Sequence, residues 1–221
     1  MNKEVEVSLN TNFDFFKRIY SIFKRIFDIV FSIIGLIFLV PVTIFVKILY
    51  LIEGDKNSII FKQKRTGKNG KEFELIKFRT MVIDNDVRNF KKENKMTKTG
   101  EIIRKLSLDE LPQFINIFKG EMSFVGPRPW IPEYFEYMTE NQKQRVAVLP
   151  GLTGLAQVNG RNGLSVIDKI NYDLVYVEKY SLFEDLKIFF KTIATVFKKE
   201  HAAIEKSGIK TEIETLKKQK R

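Results

Sequence analysis

The sequence has no cysteine and a single histidine, His201, in 221 residues. That excludes disulfides, thiolate nucleophiles and cysteine-ligated zinc, and it fits a reducing compartment. One histidine cannot build a histidine-based triad or a multi-histidine metal site, so acid–base or nucleophilic chemistry must rest mainly on carboxylates. Negative charge is in short supply too: 27 Asp and Glu face 38 Lys and Arg, a net charge of +11. The excess favours an anionic partner, whether nucleic acid, an acidic membrane surface or phosphorylated substrates. There is no internal repeat and no low-complexity block. There is no Walker-type loop, and Gly154 and Gly160 do not form a dinucleotide fingerprint. What is present is 44% hydrophobic residues, enough for a real core in one ordinary domain, or one domain plus a membrane element.

The membrane element is legible. Ile29 to Val46 is a run of 18 residues without a charge, preceded by Lys17, Arg18, Lys24 and Arg25 and followed by Lys47. A spanning helix needs about 20 apolar residues, so the run is at the lower limit. It starts late and lacks a small-residue cleavage site, unlike a signal peptide. Pro41 lies inside it and predicts a kink. Cations at both ends favour placing both ends on the cytoplasmic side. A re-entrant hairpin satisfies both features; a simple transmembrane helix and a buried core helix are the alternatives. Upstream, Phe13, Phe15, Phe16, Ile19, Tyr20, Ile22, Phe23, Ile26 and Phe27 alternate with the basic residues, as in a helix at a bilayer interface; the alternative is a core stripe opposite a solvated face.

Beyond the run, Ile59–Phe61 and Phe73–Ile76 read as short strands around the turn residues 66–70. Residues 84–99 are charged and only weakly periodic. Residues 101–120 have helical spacing. Ser181 and Glu184 form a capping-box pattern that opens a helix with Leu182, Leu186, Phe189, Phe190, Ile193 and Phe197 on one broad face. That face could pack on the core or lie on a membrane. From Glu200 the chain looks like a charged, solvated tail.

Four segments could carry chemistry. In Leu106–Pro112, Asp109 and Glu110 are adjacent carboxylates at what reads as a helix start. The bland reading is a Ser107–Glu110 capping box. The functional reading makes Asp109 a carboxylate nucleophile, held ionised by the helix dipole, with Glu110 as base or as a group that steers the second substrate, and a Mg²⁺ shared with substrate phosphates. In Ser123–Pro129 two prolines flank Arg128, suited to bidentate phosphate recognition or to a structural ion pair. Pro150–Asn162 combines glycines that permit tight turns with Arg161. Lys77 and Arg79 form a basic pair after the second strand.

Together these segments resemble the small monotopic phosphoglycosyl transferases, the bacterial sugar transferase family. The stretches that carry the resemblance are Lys24–Asp28, Lys77–Met81, Leu106–Gln113, Phe124–Pro129, Pro150–Gly154 and Gln157–Asn162, in matching order and spacing, over about residues 24–199. The resemblance implies a mixed α/β protein with a re-entrant membrane helix broken at Pro41, interfacial amphipathic helices and a small β-hairpin around a compact catalytic domain. The implied layout is an N-terminal extension and interfacial helix over 1–25, the membrane helix over 26–52, the catalytic domain over 53–199 and the tail over 200–221. It also implies that Asp109 attacks the β-phosphate of a UDP-sugar and releases UMP, giving a phosphosugar–enzyme intermediate. Glu110 then helps undecaprenyl phosphate, or another polyprenol phosphate, to attack that intermediate. Mg²⁺ is required, with Asp109 as its protein ligand. Lys77, Arg79, Arg104, Arg128 and Arg161 are the phosphate and nucleotide contacts. The reaction is the first membrane step of glycoconjugate synthesis, on the cytoplasmic face of the inner membrane, and a homodimer is left open.

One departure stands out. Close relatives place Ser before the helix-breaking proline, and this chain has Val40. The stretch before about Phe16 extends beyond the family core. Two other classes compete: an inactive, membrane-bound scaffold of a glycan assembly complex, against which the intact Asp109–Glu110 pair argues, and a nucleic-acid binder. Charge scattered among apolar runs and the lack of a binding motif speak against nucleic acid.

Overall fold

In the computed structural model the apolar run is the middle of one helix, α1 (Phe15–Ile52, 38 residues). No proline interrupts the residues before Pro41, so the aromatic, basic segment and the apolar run propagate as a single helix. Pro41 lies within it and has no N–H for the Ile37 carbonyl. Two residues on, the Thr43 hydroxyl bonds the Leu39 carbonyl at 2.7 Å. The structure describes residues 15–82, 96–160, 163–197 and 209–220.

The remaining elements make a mixed helix and sheet fold. In chain order they are β1 (Ile60–Thr66), β2 (Glu72–Phe78), α2 (Lys98–Lys105), α3 (Gln113–Lys119), β3 (Ser123–Val125), α4 (Pro132–Tyr137), α5 (Glu140–Lys143), β4 (Gly151–Thr153), α6 (Leu155–Val158), α7 (Val166–Glu178), α8 (Leu182–Phe197) and α9 (Ile209–Lys220). The hairpin β1–β2 matches the expected one but is longer, and β2 runs through Phe78. Lys77 is therefore in the strand rather than after it. The connecting turn relies on left-handed backbone at Asn69 (φ 56°) and Gly70 (φ 78°), conformations that Asn and Gly adopt readily.

The chain divides into two compact units. One comprises residues 29–63 and 74–119, the other 1–28, 64–73 and 120–221. In the first, Leu39, Val46 and Tyr50 of α1 form a core with Phe78 and Ile103. Gly35 lets the Phe114 ring lie against the α1 backbone. The α2 N-terminus is capped twice. Thr97 Oγ1 accepts from the Gly100 amide at 2.8 Å, and the Glu53 carboxylate accepts from the Lys98 and Thr99 amides at 2.8 and 3.0 Å.

The second unit has two apolar clusters, one around Val125, Val148, Leu155, Tyr176 and Ile188, the other around Tyr134, Met138, Ile170 and Leu216. Two of its helical segments, α8 and the start of α1, bury polar side chains and expose apolar ones. On α8, Glu184 and Asp185 are buried while Leu182, Phe183, Leu186, Phe189, Phe190 and Ile193 are exposed. In α1, Lys24 and Asp28 are buried while Phe15, Phe16, Ile22, Phe23, Ile26 and Phe27 are exposed. Lys24 pairs with Asp185, which also accepts from the Tyr20 and Tyr176 hydroxyls at 2.5 and 2.7 Å. Of the two readings of the α8 face, the core is thereby excluded: that face is outside. Exposed apolar surface of this kind suits a membrane or another apolar partner, and α1 is long and apolar enough to cross a bilayer.

The expected solvated tail is in part a docked helix. Leu216 of α9 is fully buried, and Glu212 accepts from the Tyr134 hydroxyl at 2.5 Å and pairs with Lys169 at 3.0 Å. Charge content concealed this, because Leu216 with the partly buried Ile209 and Ile213, and a paired Glu212, seat a helix whose other faces stay polar.

Two motifs distant in sequence meet in a parallel pair, with Ser123 opposite Gly151 and Val125 opposite Thr153. Backbone meets backbone here. A Cβ on Gly151 would overlap the Gly126 amide, and one on Gly154 would overlap the Gly126 carbonyl. Gly151→Ala should cost about 3 kcal/mol, the upper range for overpacking. Thermal or denaturant unfolding of the detergent-solubilised protein checks it, and an unchanged midpoint would refute the close-approach argument.

Candidate active site

Asp109 and Glu110 lie in a turn between α2 and α3, not at a helix start. Helix α2 ends at Lys105 in a Schellman arrangement. The Leu108 amide bonds the Ile103 carbonyl at 2.8 Å and the Ser107 amide bonds the Arg104 carbonyl at 3.0 Å. Ser107 holds the left-handed position, φ 55°, usually taken by Gly. Ser107 thus terminates α2, and the capping-box reading of Ser107 and Glu110 falls. Leu108 packs back on the core that contains Ile103, the apolar contact that accompanies this motif. The Asp109 carbonyl then accepts from the Phe78 amide at 2.9 Å, which fixes the pair beside the end of β2.

The expectation that a helix dipole holds Asp109 ionised is also corrected, since α3 begins four residues later. Burial pushes the Asp109 carboxyl above the usual aspartate range, and the neighbouring Glu110 pushes it further; Lys77 and then Arg104 pull it back. Lys77, Arg104 and Glu110 therefore act electrostatically on Asp109. Lys77 is half-buried, its ammonium 5.1 Å from the Phe61 ring centre. Arg104 is exposed.

Arg79 does not join them. It is buried, with Nη2 on Asp55 at 2.7 Å, Nε on the Ser58 carbonyl at 2.8 Å and Nη1 on the Met81 carbonyl at 3.0 Å. Its guanidinium also lies 4.5 Å from the Tyr50 ring centre, and the Tyr50 hydroxyl bonds the Arg79 carbonyl. The Asn57 amide and then Arg79 hold the Asp55 carboxyl below its usual range. The arginine expected on substrate phosphate instead ties the β2 exit to the end of α1.

In the other unit, Arg128 is exposed between buried Pro127 and Pro129. The Gly151 amide bonds the Pro127 carbonyl at 2.9 Å, and the Thr66 amide bonds the Trp130 carbonyl at 2.8 Å. Arg161 lies outside the described residues. Two groups escaped the sequence reading. Asn116, a polar residue in the apolar run Phe114–Phe118, clamps β2 through the Ile76 amide at 3.1 Å and the Glu74 carbonyl at 2.7 Å. The fully buried Arg145–Asp173 pair, 2.6 Å, had no signal at all: Arg145 sits in a polar stretch like any solvated cation.

A divalent cation suits the carboxylate pair. No group of three or more metal-ligating side chains occurs among the described residues. Mg²⁺, which binds through one or two carboxylates and completes its shell with water and substrate phosphate, matches such a sparse donor set. Its positive charge would also offset the Asp109–Glu110 repulsion.

These features agree with the comparisons. A family model for bacterial sugar transferases matches residues 19–199, and the chain belongs to that family. Over 144 residues it is 48% identical to the "uncharacterized sugar transferase EpsL" of Bacillus subtilis, covering 64% of this chain and 71% of the relative. A UDP-glucose:undecaprenyl-phosphate glucose-1-phosphate transferase of Klebsiella pneumoniae is 43% identical over 62% of this chain and 32% of its own length. An undecaprenyl-phosphate galactose phosphotransferase of Salmonella typhimurium is 37% identical over 74% of this chain and 38% of its own. This chain thus spans about a third of the length of those two enzymes.

The sign of the Asp109 shift is testable. Its ionisation works against the fold, so this contribution to stability is present at low pH and is lost as pH rises through the raised pKa. At neutral pH Asp109→Asn should therefore raise the Tm, and Glu110→Gln should move the Asp109 titration, followed by carboxyl ¹³C NMR, to lower pH. Movement to higher pH would contradict the electrostatic account.

Proposed function

We propose that this protein transfers a sugar 1-phosphate from a UDP-sugar to undecaprenyl phosphate through a phosphosugar intermediate on Asp109. The observation that carries the reading is the Asp109–Glu110 pair, half-buried, anchored to β2 and flanked by Lys77 and Arg104. The activities named for the Klebsiella and Salmonella relatives support the substrate classes. A carboxylate oxygen of Asp109 attacks the β-phosphorus, and the bond from that phosphorus to the bridging oxygen breaks, so UMP leaves with the bond electrons. Lys77 and Arg104 offset the charge gathering on the transferred phosphoryl group. Glu110 accepts the proton of the undecaprenyl phosphate, whose oxygen then attacks the intermediate to give the diphosphate-linked sugar and free Asp109. Mg²⁺, when bound, supplies further neutralisation of phosphate charge. Desolvation makes Asp109 a better nucleophile at the expense of its ionisation.

Arg128 and Arg161 are assigned to donor phosphate or nucleotide, with Arg128 favoured by its exposure on a fixed backbone. The alternative of an inactive scaffold has no observation in its favour, since the pair and its flanking cations are intact.

For topology we propose a re-entrant α1 in the cytoplasmic membrane, with the catalytic part in the cytoplasm. A helix of 38 residues is about 57 Å long at 1.5 Å per residue, well beyond the roughly 30 Å of a bilayer core. Pro41 supplies a break point, and cations flank the apolar run on both sides. Tags at the two termini should be digested from the same side of sealed vesicles; opposite sides would refute the hairpin.

The decisive assay is UMP release by detergent-solubilised protein given undecaprenyl phosphate, Mg²⁺ and a panel of UDP-sugars. Release should require Mg²⁺ and fall at least about 10⁴-fold in Asp109→Asn, as for loss of a nucleophile that acts with its partner as a unit. Full turnover in that variant would overturn the assignment of Asp109.

A further inference from the structure

The Arg145–Asp173 pair has no role in the transfer steps as written, yet it is among the most buried polar groups in the chain. Both side chains are 2% exposed. Removing two charges from water costs several kcal/mol per ion, and well-packed apolar residues often do as well for stability. What the pair gives that apolar residues cannot is direction. Arg145 Nη2 donates to Asp173 Oδ2 at 2.6 Å and to the carbonyl of Arg128 at 2.8 Å, while Nε donates to Asp173 Oδ2 at 3.0 Å. The guanidinium lies over the Trp130 ring, 4.1 Å from its centre. The carbonyls of Pro127, Arg128 and Trp130 are thus each held by a different donor, on Gly151, Arg145 and Thr66. Among Val125 to Pro129, only Arg128 is exposed.

We propose that Arg145, itself fixed by Asp173, is a positioning residue for Arg128 and so sets affinity for the phosphates of the donor. The proposal rests on the assignment of Arg128 to donor phosphate made above. Lysine cannot replace Arg145, because it has neither the planar fork that reaches two acceptors nor the flat face that stacks on Trp130. Displacing a positioned group by a fraction of an ångström acts on substrate binding without touching the groups that make and break bonds.

The test uses the full chain in detergent and two independent readouts. The first is steady-state UMP release for wild type, Arg145→Lys, Arg128→Ala and the double variant. Arg145→Lys should raise the donor KM about tenfold with kcat within about threefold, and should add less than about twofold in the Arg128→Ala background, the non-additivity of residues acting as one unit. The same factor in both backgrounds, or a loss confined to kcat, would overturn the proposal. The second readout needs no turnover. Trp130 is the only tryptophan in the chain and directly follows Pro129, so iodide quenching of its fluorescence reports the loop. Quenching should rise in Arg145→Lys and in Asp173→Glu, which keeps the charge but shifts the guanidinium. Quenching at the wild-type level in both variants would overturn the positioning role. If wild type releases no UMP with any donor, the transfer reading fails, and quenching alone decides the role of Arg145.

Discussion

The membrane-facing part of the molecule depends on one buried ion pair, Lys24 with Asp185. Each charge would be expensive to bury alone, and together they draw the polar sides of α1 and α8 inward. Asp28 extends the polar stripe, accepting from the Ser123 hydroxyl at 3.0 Å and the Phe124 amide at 3.1 Å. Tyr20 and Tyr176 complete the shell of Asp185. With these polar groups paired inside, most phenylalanines and isoleucines of the two segments stand outward, while Ile188 of α8 enters the core. The ordinary arrangement of a water-soluble helix is inverted, as suits helices whose outer faces meet an apolar surrounding.

The carboxylate site shows a different compromise. Asp109 is desolvated and set beside a second carboxylate, both of which oppose its ionised form, and two cations restore only part of that loss. An exposed aspartate would ionise more readily but would be better hydrated, which in the proposed reaction makes it slower to attack phosphorus. The backbone meets this demand with few contacts: a left-handed Ser107, a Schellman ending and one hydrogen bond from Phe78. Ser107, where Gly is customary, is a small local strain beside Asp109, of the kind folded proteins tend to keep at functional sites.

The glycine-containing motifs are explained by packing rather than by flexibility. Gly126, Gly151 and Gly154 pass so close to one another that no side chain fits, and this proximity brings the Phe124–Pro129 and Pro150–Gly154 stretches into a single parallel pair. From there the loop around Arg128 is held at successive carbonyls. Rigid backbone under an exposed guanidinium suits recognition of a compact, multiply charged group, because little conformational freedom is left to lose on binding.

By itself the sequence determined the long apolar run, the β1–β2 hairpin, the start of α8 at Ser181, the two adjacent carboxylates and the family, because each is written in local pattern: charge-free length, turn residues, a cap and motif spacing. Tertiary structure alone decided the rest. It turned the apolar face of α8 outward, since the polar face had found partners in α1. It committed Arg79 to Asp55 and two carbonyls, though the sequence offered it as a phosphate ligand beside Lys77. It placed Asp109 in a turn where burial, not a helix dipole, governs the carboxyl, and it seated α9 through Leu216 and Glu212. It also made Arg145 and Asp173 a pair across 28 residues. Periodicity and motifs report what neighbours in sequence can do; which of two cations is buried and which stays beside the carboxylate pair depends on carbonyls and carboxylates that only folding brings within reach.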